Sequence, residues 1–513
     1  MILTITAKTA ATWSSRLTHL NYGSKSSRAV PPTDCTNRKE VVRGEAAADF
    51  RIFVRKISQS RPHHQKEYTV RVTAAWLCML FLSVNSTLAA DTNSETAAPL
   101  TAKVENPDEP KGSLVIIGGS ERYRDRELWD TIVELAGGEG ASIAVFPTAS
   151  GSPVRQGNKV VQALKRAGAT PFLVPVAWKE VEHEVRDAVF NDDLVQQVRA
   201  STGVFFIGGS QDRIVDALLD DDLEKTPMLQ AIWDMYHDGG VIAGTSAGAA
   251  IMSRVMYRDA PPPMQILRNG VAMGKEIDDG LGFLDSQWFV EQHCLVRGRF
   301  ARALVAMYSQ GVPYGIGVDE NTALVVRHGY DATVIGYKGV LIMDISNAAP
   351  DPKTEGFSLK NVKMSYLDRG DSIDLRTRKV TPSDEKIDDI KLDPNTDGYD
   401  PYFDHRMFYT DILGNCTVAD LLGRLIDNKE NEAIGLAFSG LDARDQPSDG
   451  FEFKFYRGAD SMGWYTEDYG GEDYTVLNIH LDIRPIRIAG PLYEHRIAAE
   501  DNRRESDDSN EQN

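Results

Sequence analysis

Gly240-Val241-Ile242-Ala243-Gly244-Thr245-Ser246-Ala247-Gly248-Ala249-Ala250-Ile251-Met252 is the stretch that decides the fold. An apolar run ends in G-x-S-x-G and passes directly into small, helix-compatible residues. An apolar run without alternation suits a strand buried on both faces, as in a parallel sheet under helices. A serine between two glycines at a strand-to-helix turn is the pattern of a nucleophile elbow. Such a turn lifts Ser246 Oγ above the sheet and brings the Ala247 backbone N–H to a developing oxyanion. The same residues also suit a plain tight turn with Ser246 as a helix N-cap.

Working outward, four more apolar runs precede this one. Leu114–Ile117 ends in Gly118-Gly119, Ser142–Phe146 in Pro147-Thr148, and Val204–Ile207 in Gly208-Gly209; Pro171–Val176 follows a helical stretch holding Val160, Val161, Ala163 and Leu164. Repeated β-α-β spacing predicts an α/β protein with a doubly wound, mostly parallel sheet, whose functional groups lie at the carboxyl ends of the strands. Glycines there let backbone N–H groups approach a ligand closely. After Tyr314–Glu320 the texture becomes more β-like. A helix over 417–428 and alternating segments at 450–456 and 475–483 predict a C-terminal α+β extension.

The chain has 513 residues, 56 Lys and Arg, 75 Asp and Glu, and a net charge of −19. That balance opposes a large nucleic-acid footprint, which needs a cationic surface. No G-x-G-x-x-G opens a helix, which argues against a dinucleotide site. The first 90 residues hold 13 Lys and Arg against 5 Asp and Glu. Arg71 precedes the apolar run Ala74–Leu82, and Leu88-Ala89-Ala90 follows. This is the layout of a secretory signal and is too short for a membrane anchor. We therefore expect a signal peptide at 70–90, a secreted or periplasmic product, and a gene-model artefact or disordered segment at 1–69. A linker at 91–111, a hydrolase domain at 112–380, an acidic linker at 381–406, the extension at 407–495 and a disordered acidic tail at 496–513 complete the expected division. Cleavage near Ala90 leaves Cys294 and Cys416, with a disulfide between them an open question.

A nucleophilic serine needs a base, and the base needs an orienting group. His293 stands out for its neighbours Glu291, Gln292, Arg297, Arg299 and Arg302, after the strand-like Trp288-Phe289-Val290. Three arginines at that spacing make either a cationic pocket or a solvated helix face. Carboxylates for the third role include Asp278, Asp279, Asp285, Asp319 and Glu320.

Together, Gly-Thr-Ser-Ala-Gly-Ala around Ser246, Gly208-Gly209-Ser210-Gln211, the Gln292-His293 segment with its arginines, and Asp319-Glu320-Asn321-Thr322-Ala323 resemble the cyanophycinases of peptidase family S51 over about 113–380. The resemblance implies a class I glutamine-amidotransferase-like fold and a Ser-His-Glu peptidase. In it Ser246 is the nucleophile, His293 the base and Glu320 the acidic member. Gly209 and Ala247 supply the oxyanion donors, and Gln211, Glu291, Gln292, Arg297, Arg299 and Arg302 form the substrate pocket. The implied substrate is cyanophycin, an arginine-bearing polyaspartate cut to β-Asp-Arg, or a related β-aspartyl-arginine peptide. No cofactor is implied. Glu291 and Ser210 depart from the residues usual in the family, Asp and Asp or Asn. A dipeptidase on short Asp-containing peptides and a non-catalytic binding protein are the alternatives, and a homodimer is left open. Outside the resemblance, Asp393-Pro394-Asn395-Thr396-Asp397-Gly398 with Asp404 approaches a calcium-loop template, but Pro401 occupies a ligand position.

Overall fold

The computed structural model describes residues 110–181, 184–438, 448–468 and 471–489, and the single positions 491 and 496. The expected signal, the segment before it, nearly all of the first linker and nearly all of the acidic tail lie outside the described residues. Strands in chain order are β1 (Ser113–Ile117), β2 (Ser142–Phe146), β3 (Thr170–Leu173), β4 (Gly203–Phe206), β5 (Val241–Thr245), β6 (Val255–Tyr257) and β7 (Ile277–Asp279). Then come β8 (Trp288–Gln292), β9 (Tyr314–Val318), β10 (Thr322–Arg327), β11 (Asp331–Gly336), β12 (Val340–Asp344), β13 (Leu359–Leu367), β14 (Ser372–Asp374) and β15 (Lys379–Thr381). The last are β16 (Ile390–Leu392), β17 (Met407–Tyr409), β18 (Glu432–Phe438), β19 (Ser448–Thr466) and β20 (Asp473–Ile488).

The first large sheet runs β15-β14-β11-β10-β1-β5-β4-β2-β3. From β1 to β3 it is parallel. Helices such as Arg126–Leu135, Pro153–Arg166 and Pro227–His237 carry the crossovers that parallel pairing requires. Alternation along the strands sorts their residues onto two faces. Leu114, Ile116, Ala144 and Phe206 enter one core, while Val115, Ile117, Val145 and Phe205 enter another. The sheet is mixed rather than mostly parallel, because β10, β11, β14 and β15 pair antiparallel. Their connections dictate this. His328-Gly329-Tyr330 alone joins β10 to β11, far short of the dozen residues a parallel return needs.

The second large sheet runs β17-β18-β19-β20-β13-β12-β9-β8, with β16 beside β19. Here the expected division of the chain is corrected. β20 pairs with β13, so the strands of 407–488 continue the sheet begun by β8, β9 and β12 instead of forming a small extension of their own. Residues 381–406, expected as an acidic linker, contribute the helix Asp384–Ile387 and β16. Fully buried Lys386 anchors them to Asp371 at 3.2 Å. Their charge hid this cohesion. The chain crosses between the sheets at 319–321, from β9 to β10, and at 337–339, from β11 to β12. Among the described residues no helix is long and apolar enough to cross a membrane.

Candidate functional site

Ser246 follows β5 of the first sheet, His293 follows β8 of the second, and Glu320 lies in the crossing between them. Ser246 adopts φ 53° and ψ −108°, a conformation unfavourable for a residue with a Cβ, which an elbow tolerates because its flanks are glycines. A Cβ on Gly244 would lie 2.2 Å from the Gly248 carbonyl oxygen, and one on Gly248 would lie 2.4 Å from that of Phe206. The strand and the following helix approach too closely for any side chain. The Ser246 N–H donates to Ile117 O at 2.9 Å, tying the elbow to β1. No side-chain capping bond forms at Ser246, so the N-cap reading of this turn has no hydrogen bond behind it.

Ser246 Oγ lies 2.9 Å from His293 Nε2, and His293 Nδ1 lies 2.7 Å from Glu320 Oε1. Those are hydrogen-bond distances from hydroxyl to imidazole to carboxylate. The imidazole lies against Gly119, where a Cβ would come within 2.3 Å of Cε1. Of the glycine pair after β1, Gly119 therefore makes room for the imidazole, while Gly118 lies against the Asp319 backbone, uses that sequence reading missed. Ser120 adds a side-chain hydrogen bond to Glu320, and Arg297 stands 3.7 Å from the same carboxylate.

Burial, the largest influence, holds the His293 imidazole below its ordinary pKa; the Glu320 bond opposes this and the Arg297 charge reinforces it. Its own bond to His293 keeps the Glu320 carboxyl below the usual range. Beside them Cys294 is a free, buried thiol pushed well up by desolvation, so it does not pair with Cys416.

The expected pocket residues divide sharply. Glu291 and Arg302, expected to face substrate, instead face each other. Arg302 Nε and one terminal nitrogen reach the two Glu291 oxygens at 2.8 and 2.7 Å, with both side chains buried. The guanidinium also lies 4.3 Å over the Tyr257 ring and donates to Pro261 O at 2.9 Å. Buried Arg299 donates to both the Gln292 carbonyl and its side-chain oxygen, and desolvation lowers its pKa to about 10. Gln211 Nε2 donates to Tyr257 O at 2.7 Å. Of the three arginines, only Arg297 leaves half its side chain exposed. Gly208 adjoins Ser246, since a Cβ there would lie 3.1 Å from Ser246 Cβ. Neither the Gly209 nor the Ala247 N–H donates to another backbone group among the described residues.

The rival carboxylates are engaged elsewhere. Asp278 accepts from Arg258 at 2.6 Å, and buried Asp319 accepts from the Leu295 and Val296 N–H groups. At the calcium-like turn, Asp393 pairs with Lys391 at 3.1 Å, and Asn395 donates to Ala459 O. Among the described residues no group of three His, Cys, Asp or Glu is placed to hold a metal. Sequence reading also missed Glu121. Its carboxyl accepts from Thr245 Oγ1 at 2.5 Å, immediately before Ser246, and burial raises its pKa.

The family model described as peptidase family S51 matches residues 114–334. The cyanophycinase of Geminocystis herdmanii is 30% identical over 278 residues, 52% of this chain and 96% of that protein. That of Nostoc sp. is 28% identical over 292 residues, 56% of this chain and 93% of its own. A solved peptidase from an acI-B1 Actinobacterium is 22% identical, with a TM-score of 0.39 over 52% of this chain and 98% of that one. With a relative at 30% identity matched over nearly its whole length, the chain belongs to peptidase family S51, a family of hydrolases.

Proposed function

We propose that the protein is a serine peptidase that hydrolyses cyanophycin to β-Asp-Arg dipeptides, with Ser246 as nucleophile, His293 as general base and Glu320 as its orienting carboxylate. The observation that carries this reading is the unbroken bonding from Ser246 Oγ through His293 to Glu320 at 2.9 and 2.7 Å. His293 Nε2 takes the hydroxyl proton as Oγ attacks the carbonyl carbon, then returns it to the leaving amine. Water repeats the sequence to release the acyl group. Glu320 stabilises the transient imidazolium and fixes its tautomer. The Ala247 and Gly209 N–H groups meet the oxyanion, each worth about 3 kcal/mol in the transition state. Arg297, the exposed guanidinium beside this chain of groups, suits a substrate carboxylate. The cyanophycinase relatives support the substrate class. The parallel half-sheet with its elbow is compatible with a class I glutamine-amidotransferase-like fold. Export rests on Arg71 and the run Ala74–Leu82.

Incubating the purified protein with insoluble cyanophycin and weighing the soluble products by mass spectrometry tests the whole reading. Release of β-Asp-Arg is expected. Cleavage of casein with no release from the polymer would replace it with a general peptidase.

The pH profile gives a second test. The base must be neutral, so activity falls as pH drops through the His293 pKa. Because that pKa is depressed, activity should persist to lower pH than an ordinary histidine allows. Arg297→Gln removes a cation that disfavours the imidazolium. The acid limb should therefore move to higher pH, and a limb that stays put or moves down would contradict the assignment.

A further inference from the structure

The nucleophile belongs to the first sheet and the base to the second, so their 2.9 Å contact depends on how the sheets are fastened where the chain crosses between them. Both nearby crossings carry a charge. Asp319, in the crossing from β9 to β10, has no exposed surface. Its Oδ2 lies 2.9 Å from Lys338 Nζ, which stands in the crossing from β11 to β12. Its Oδ1 accepts from Leu295 N at 3.1 Å and Val296 N at 3.0 Å, the backbone just past His293. One carboxylate thus binds the His293 loop and the second crossing while sitting next to Glu320 in the chain. The surrounding backbone closes the frame. His293 N donates to Gly118 O, Asn321 N to Gly119 O, and Gly118 N to Thr322 O.

We propose that Asp319, held by Lys338, is a positioning residue that sets His293 against Ser246 across the junction of the two sheets. It touches neither substrate nor reacting atoms. Its carboxylate fixes the loop that carries the base, and Lys338 balances the buried charge and fixes the carboxylate. A misplacement of about 1 Å in such a constellation can cost about 10²-fold in rate. The inference rests on Ser246 being the nucleophile, as proposed above.

The test measures labelling of the full chain by a serine-directed fluorophosphonate, resolved into a maximal rate constant and a half-saturating concentration. Wild type should label and Ser246→Ala should not; failure of that control overturns the nucleophile assignment rather than the role of Asp319. Asp319→Ala should lower the maximal rate constant about 10²-fold, leaving half-saturation and the circular dichroism spectrum unchanged. Asp319→Asn keeps an acceptor for the two amides but sets an NH2 against Lys338. Adding Lys338→Met removes that conflict, so the double variant should label faster than Asp319→Asn alone. Folded Asp319→Ala labelling at the wild-type rate would overturn the proposal. Should Asp319→Ala not fold, the comparison of Asp319→Asn with the double variant decides, and a double variant no faster than the single overturns it.

Discussion

Ser246→Ala is expected to lower peptide hydrolysis about 10⁶-fold while leaving the fold intact, because members of such a relay act as a unit. The substitution removes one oxygen from a half-buried position and keeps the backbone free to hold φ 53°, which the neighbouring glycines already accommodate. Without the hydroxyl, His293 has no proton to accept from a nucleophile, and the oxyanion donors have no adduct to stabilise. His293→Ala should cost nearly as much, and the double variant should be no slower than the worse single one. Steady-state release of dipeptide from cyanophycin measures all three. Multiplying losses in the double variant would mean that Ser246 and His293 act independently, and residual Ser246→Ala turnover above about 1% of wild type would exclude a serine nucleophile.

How much of this was legible in sequence follows from the range of the interactions involved. The parallel strands and the elbow are local patterns. Four of the five apolar runs close in a Gly- or Pro-led turn, all five supply strands of the first sheet although β3 at its edge is only partly buried, and Ser246 between glycines needs no distant partner to be noticed. The Ser246, His293 and Glu320 set, once given by family resemblance, also meets at bonding distance. What sequence could not supply was the pairing of charges. Glu291 and Arg302 read as pocket residues because a charge beside a reactive histidine resembles a ligand. Nothing in one dimension shows that an eleven-residue separation, across the loop from β8 to the helix Phe300–Gln310, lets them face each other. Lys386 failed in the same way, since an acidic stretch reads as solvated until Asp371 is seen across it. The C-terminal strands were recognised as strands, yet their register on β13 is a non-local fact that alternation does not encode. Asp319 stands among five candidate carboxylates, and contacts distant in the chain separate it from Glu320: the Leu295 and Val296 amides and Lys338 hold Asp319, whereas Glu320 meets His293.

Glu291→Ala should be the most destabilising single substitution near the site. The residue and its partner Arg302 are both almost fully buried, and their two-point contact leaves little of either group for solvent. Deleting the carboxylate strands a guanidinium that cannot deprotonate, with only the Pro261 carbonyl and the Tyr257 ring as compensation. Breaking a buried pair from one side costs about 3–5 kcal/mol, whereas replacing both partners by apolar residues of similar volume is often near neutral. Urea unfolding of Glu291→Ala should therefore show a much lower midpoint, and Glu291→Leu combined with Arg302→Met should recover most of the loss. A substrate-facing Glu291 predicts the opposite pattern, with stability near wild type and a raised KM for arginine-bearing peptide. The neighbouring sequence adds a kinetic consequence. Glu291 and Gln292 end the strand that delivers His293, and Gln292 is itself gripped by Arg299. Loosening this strand should therefore lower kcat in parallel with stability, and the doubly apolar variant should restore both together. Recovery of stability with no recovery of kcat would show that the charge itself is needed during turnover.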